Sequence, residues 1–99
     1  MQAVVKETIA AYFRDKPVRR AYLFGSFARN EESPNSDVDI LVDVEPEAGL
    51  SLFEFGSMLE ELKELLQRDV DLVAEDGLSP HIQPFIDQEK VLVYEKNAR

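Results

Sequence analysis

Asp37 and Asp39 stand one residue apart in Ser36-Asp37-Val38-Asp39-Ile40. In an extended strand a period of two puts both carboxylates on one face, with Cα atoms about 6.6–6.8 Å apart. Two like charges so close are unfavourable once water is withdrawn, so the pair calls for a cation or for solvent. Magnesium answers that need, since it takes hard oxygen ligands and generally combines one or two carboxylates with phosphate oxygens and water. The same Asp-X-Asp spacing also occurs on plain solvated strands. Upstream, Leu23-Phe24-Gly25-Ser26 ends an apolar run in a small residue and a hydroxyl. Such a step lets backbone N–H groups and the Ser26 side chain approach phosphate oxygens closely, although Gly-Ser is equally an ordinary turn. Downstream, Val70-Asp71-Leu72-Val73 carries a third carboxylate, with Asp69 as its rival on the same face. No Gly-x4-Gly-Lys-Ser/Thr pattern is present, so a P-loop ATPase is unsupported.

These residues need elements to hold them. Val5, Ile9, Tyr12 and Phe13 recur at helical spacing and predict a helix over about 2–15, closed by Lys16-Pro17. Val18 to Phe24 reads as a strand, and Val38, Ile40, Val42 and Val44 alternate with polar or acidic neighbours in a second strand beginning at about Asp37. Pro46 and Gly49 break the chain. Ser51 then caps a helix over about 51–67, whose Leu52, Phe55, Leu59, Leu62 and Leu66 follow a 3.6-residue period. Val70 to Val73 forms a third strand, Ser79 or Pro80 opens a helical segment toward Gln88, and Val91 to Tyr94 is a last strand before a fraying tail, Glu95 to Arg99. The order α-β-β-α-β-α-β implies a two-layer α+β arrangement, a sheet covered by helices on one face, in one domain over 1–99. Tyr12, Phe53, Phe85 and Tyr94 are all expected to pack into its core.

The 99 residues carry a net charge of −9, which argues against direct nucleic-acid binding, because phosphate contacts need clustered Lys and Arg. The charge is uneven: residues 1–36 sum to +2 and residues 37–99 to −11. Apolar runs such as Ala21-Tyr22-Leu23-Phe24 are far shorter than the ~20 residues of a membrane span or the ~7–15 of a signal-peptide core. Cysteine is absent, which removes disulfides, thiolate metal sites and cysteine nucleophiles. A soluble, unprocessed, cytoplasmic protein is expected.

The order of the pieces is more specific than any one of them. Leu23-Phe24-Gly25-Ser26-Phe27-Ala28-Arg29, followed by Ser36-Asp37-Val38-Asp39-Ile40-Leu41-Val42, an amphipathic helix and Val70-Asp71, resembles the nucleotidyltransferase superfamily related to DNA polymerase β. Within it the chain is similar to the minimal nucleotidyltransferases that form the antitoxin half of HEPN/MNT toxin–antitoxin pairs. The resemblance implies that Gly25 and Ser26 meet the nucleotide triphosphate, and that Asp37, Asp39 and Asp71 hold two magnesium ions, the Val-Asp-Leu-Val context favouring Asp71 over its neighbour Asp69. It also implies that Asp71 aids the attacking hydroxyl. It further implies transfer of AMP from ATP to a tyrosine of a HEPN RNase toxin, which silences the toxin. Asn30 stands where many relatives carry glycine and is expected to tolerate the left-handed backbone there.

Other residues carry less. Arg29 either contacts phosphates or braces the loop, or else pairs on the surface with Glu31 or Glu32. His81 reads as exposed or capping, and Asp43, about 13 Å along the strand from Asp37, as a solvated strand-end charge. Glu60, Glu61 and Glu64 read as the polar side of the second helix. Two other functions compete: an antitoxin that acts only by binding, and a nucleotidyltransferase with a small-molecule acceptor.

Overall fold

The computed structural model describes residues 2–96. Helix α1 (Gln2–Phe13) leads into β1 (Val18–Phe24), β2 (Val38–Val44), α2 (Leu52–Leu66), β3 (Val70–Ala74), a 3-10 turn (Glu75–Gly77), α3 (Gln83–Glu89) and β4 (Val91–Glu95). The four strands form one mixed sheet in the order β3-β2-β1-β4. β1 runs antiparallel to β2 and β4, whereas β2 and β3 are parallel, joined by the α2 crossover. Among the described residues no helix is long and apolar enough to cross a membrane.

Alternation in β2 divides the sheet's two faces. Val38, Ile40 and Val42 point into the core with Ala21 and Leu23 of β1, Val70 and Leu72 of β3, and the inward stripes of α1 (Val5, Ile9, Phe13) and α2 (Met58, Leu62). Burying such side chains contributes roughly 1.5–3 kcal/mol each, and this locks the strand register, because a one-residue slip would turn the whole set outward. Asp37, Asp39 and Asp43 are thereby held on the opposite face. On that face lies Leu41, which with Ile86 of α3 makes up the buried apolar residues outside the main core among the described residues.

The elements match their expected ranges closely, with three differences at α3, β4 and the 3-10 turn. α3 begins at Gln83 because Ser79 to Ile82 is spent in a turn, with Ile82 and Gln83 N–H both donating to Ser79 O. Glu95 does not fray: it closes β4, opposite Arg20, and its carboxylate accepts from Arg20 Nε at 2.9 Å. Residues 97–99 of the expected tail lie outside the described residues. The 3-10 turn has no counterpart among the expected elements. Ser51 caps α2 as expected, in a reciprocal capping box with Glu54 at 3.0 Å in both directions. Tyr12 and Tyr94 pack against the core, but Phe53 and Phe85 are 85% and 72% exposed, on the outer faces of α2 and α3.

Candidate active site

The register of the sheet brings the separate motifs to one end. Asp39 lies opposite Phe24 on one side and opposite Asp71 on the other. Gly25 therefore follows Phe24 directly beside Asp39, and Asp37 precedes β2 at the same end. Asp69 sits just before β3, where its carbonyl accepts Val38 N–H at 2.9 Å. Asp71, not Asp69, is the cross-strand partner of Asp39.

Gly25 is required there for two reasons. Its φ is +71°, and a Cβ at this position would come within 2.1 Å of Asp39 Oδ2. The chain then coils through a tight turn, with Arg29 N–H donating to Gly25 O at 3.2 Å and Glu31 N–H to Ser26 O at 2.8 Å. Asn30 adopts φ +59°, the left-handed conformation anticipated for it. Phe27 is buried and pins the loop to the core, and its carbonyl accepts from Gln2 Nε2. Arg68 completes the support. Its guanidinium lies over the Phe27 ring and donates to the carbonyls of Ser33, Pro34 and Ser36 at 3.0, 3.2 and 3.1 Å, fastening the segment that delivers Asp37. Arg68 carries no motif, and sequence reasoning passed over it.

The electrostatics of this corner are one-sided. Burial first, then the charges of Asp71, Asp37 and Glu89, push the Asp39 carboxyl up to about 6, against a partial offset from Arg29. Asp37 and Asp71 are exposed and Asp39 is half-buried, so the acids form an open shelf. Arg29 is shared: Nε donates to Glu31 at 2.9 Å and a terminal nitrogen to Glu89 at 3.0 Å. The surface pairing with Glu31 is thus present. The second carboxylate, Glu89, comes from the far end of the chain and also accepts from Gly25 N–H at 2.8 Å.

Three other positions separate from this corner. Asp43 is not a solvated charge: Arg19 and Arg20 hold it at 3.0 and 3.2 Å, and its side chain is only 15% exposed. It borders a cleft of about 510 Å³ at the opposite end of β2, lined also by Glu75, Asp87 and Lys90. His81 is exposed in the turn before α3 and has no place in the acidic corner. Glu61 lies on the polar side of α2, where it accepts the Tyr12 hydroxyl.

An Asp-X-Asp pair at the start of β2, a third Asp on the parallel neighbour and a glycine turn beside them thus lie at one end of the sheet. Comparison with known proteins specifies the family. A family model described as polymerase beta nucleotidyltransferase matches residues 7–99, and the chain belongs to that family. The protein adenylyltransferase MntA of Thermococcus cleftensis is 42% identical over 76 residues, 77% of this chain and 75% of its own. A relative from Methanocaldococcus jannaschii is 36% identical over 87 residues, 88% of this chain and 91% of its own. Among solved structures, a toxin–antitoxin complex with AMP-PNP superposes with a TM-score of 0.79 at 24% identity, covering 93% of this chain and 74% of the matched one. The MNT antitoxin bound to a tri-AMPylated HEPN toxin of Shewanella oneidensis gives a TM-score of 0.75 at 23% identity, over 97% and 74% of the two chains. At these identities the structural likenesses establish the fold.

Proposed function

We propose that this chain is an antitoxin that transfers AMP from ATP to a tyrosine hydroxyl of a HEPN-type RNase toxin. The observation that carries the reading is the register of Asp39 against Asp71, beside Asp37 and facing the Gly25 turn. The adenylyltransferase name of the Thermococcus relative, and the AMPylated toxin beside the Shewanella antitoxin, support AMP as the transferred group and a HEPN protein as the partner.

Magnesium fits the residues present. All the donors are hard carboxylate oxygens, and burial, followed by the neighbouring acids, raises the Asp39 carboxyl to about 6, a cost of holding its charge that a divalent cation relieves. Among the described residues no group of three or more acidic or histidine side chains converges on one point as a ready-made ligand set. A site completed by phosphate oxygens and water fits magnesium, which rarely uses an all-protein cage. When bound, two magnesium ions supply charge neutralisation of the triphosphate and activation of the acceptor hydroxyl.

The chain's own residues do the rest. Asp37 and Asp39 would hold the cations, and Asp71 on the adjacent strand would hold one as well and accept or orient the phenolic proton. The Gly25 backbone N–H, the Ser26 hydroxyl and Arg29 would bind the phosphate oxygens. The phenolic oxygen attacks the α-phosphorus, the bond to the bridging α–β oxygen breaks, pyrophosphate leaves and the phenol gives up its proton. The absence of cysteine suits a reducing cytoplasm as the place of reaction.

The test is to mix the chain with ATP, magnesium and its genomic neighbour, where that neighbour encodes a HEPN protein, and to measure intact mass. A gain of AMP-sized units on the partner, absent with Asp37→Asn, is the expected result. A stable complex without mass gain would replace the enzyme by an antitoxin that acts through binding alone.

A further inference from the structure

We propose that Glu89 is a resident anion on the phosphate-binding donors, displaced when a triphosphate binds. The inference rests on the reading of Gly25 and Arg29 as phosphate ligands. One oxygen of the Glu89 carboxylate accepts the Gly25 N–H at 2.8 Å and the other accepts an Arg29 N–H at 3.0 Å. A backbone N–H and a guanidinium taking two oxygens of one anion is the arrangement that a phosphate would demand. The carboxylate occupies it in the nucleotide-free chain.

Three features fit a displaceable ligand better than a fixed brace. Glu89 is the last residue of α3, and an anion at a helix C-terminus is disfavoured by the helix dipole, so its bonds to Gly25 and Arg29 are what hold it there. α3 is only seven residues long and buries only Ile86, with Phe85 exposed, so little anchors it to the sheet. Glu89 also adds its charge to those of Asp71 and Asp37 around Asp39, which makes the corner more negative while it stays. Its departure would remove one negative charge as the polyphosphate and its cations arrive. The Gly25 bond, followed by Arg29, holds the Glu89 carboxyl below the usual range, so it is an anion at neutral pH.

The consequence is a site whose affinity for phosphate is set partly by how readily α3 gives way. Without Glu89 the donors stand open to any polyphosphate. With it, a ligand must outcompete a carboxylate already in place.

The experiment titrates the full chain, Glu89→Gln and Glu89→Ala with AMP-PNP and with inorganic tripolyphosphate in the presence of magnesium. Both the dissociation constant and the Gly25 amide resonance are followed. Glu89→Gln removes the charge and keeps the size, so it guards against a folding defect in Glu89→Ala. The expected result is a Gly25 resonance that moves on binding in the wild-type chain, and a dissociation constant lowered about three- to tenfold in both variants. A Gly25 shift in the wild type with equal or weaker binding by a folded Glu89→Gln would overturn displacement and leave the nucleotide reading intact. A Gly25 resonance unmoved by either ligand in every chain would overturn both.

Discussion

The two ends of β2 treat the same residue type in opposite ways. At the C-terminal end Asp43 is clamped by Arg19 and Arg20, which the antiparallel register of β1 sets against it. At the N-terminal end Asp39 is flanked by Asp37 and Asp71, and burial, followed by the charges around it, raises its pKa to about 6. One end is neutralised by the protein; the other is left for something from outside. Charge satisfied within the fold serves the fold, and the crowded acids are where the proposed function seats a cation and a polyanion.

Substitutions at the two ends sharpen that contrast. Asp39→Asn is expected to lower the rate of AMP transfer by about two to three orders of magnitude, the size seen when a preorganised electrostatic group is removed. It should also stabilise the chain in the absence of magnesium. Below the ordinary value of 3.8 the carboxyl is protonated in both folded and unfolded chains, and no penalty exists. Between 3.8 and about 6 the folded chain binds the extra proton, so folding stability falls as pH rises, and above about 6 the penalty is complete. A shift of this size is worth roughly 3 kcal/mol for a desolvated group, and solvent access to the half-buried carboxylate reduces it to about 1 kcal/mol. Urea melts of wild type and Asp39→Asn across that range check it, and a gap that closes with rising pH would contradict it.

Gly25→Ala comes next. The new Cβ meets Asp39 Oδ2 and sits at positive φ, so a loss of about 1–3 kcal/mol in stability is expected, together with loss of transfer. A variant as stable and active as wild type would show that Gly25 does not pack against the acid. The smallest effect is at the clamped end. Asp43→Asn should lower Tm by about 2–4 °C, as when a rim ion pair is lost, and leave the transfer rate unchanged. Thermal melts and the intact-mass assay separate the two ends: stability rises at Asp39 and falls at Asp43, while activity is lost only at Asp39.

Much of this was legible in the chain because local pattern decides it. The alternation of β2 put Asp37 and Asp39 on one face, and the capping residue and apolar period of α2 were read directly from Ser51 and its leucines. What was not legible depends on register between distant segments. Arg20 meets Asp43 only because β1 pairs with β2 as it does, which turned an expected solvated charge into a salt bridge. Glu89 lies 64 positions from Gly25 and belongs to no motif, so nothing local could announce it. Phe53 and Phe85 look like core residues by type, yet each falls on the outward side of its helix. The Val-Asp-Leu-Val context already favoured Asp71 over Asp69, and what the parallel ladder between β2 and β3 adds is its register directly opposite Asp39.

That ladder has a further consequence, because β3 is the rim of the sheet while β2 is paired on both sides. Rim strands open more readily than interior ones, so amide exchange is expected to be faster along β3 than along β2. Asp39 is borne by the strand expected to exchange slowly, and Asp71 by the one expected to exchange faster. The strand that carries Asp71 therefore has one edge without a strand neighbour among the described residues, whereas the strand that carries Asp39 has no such edge.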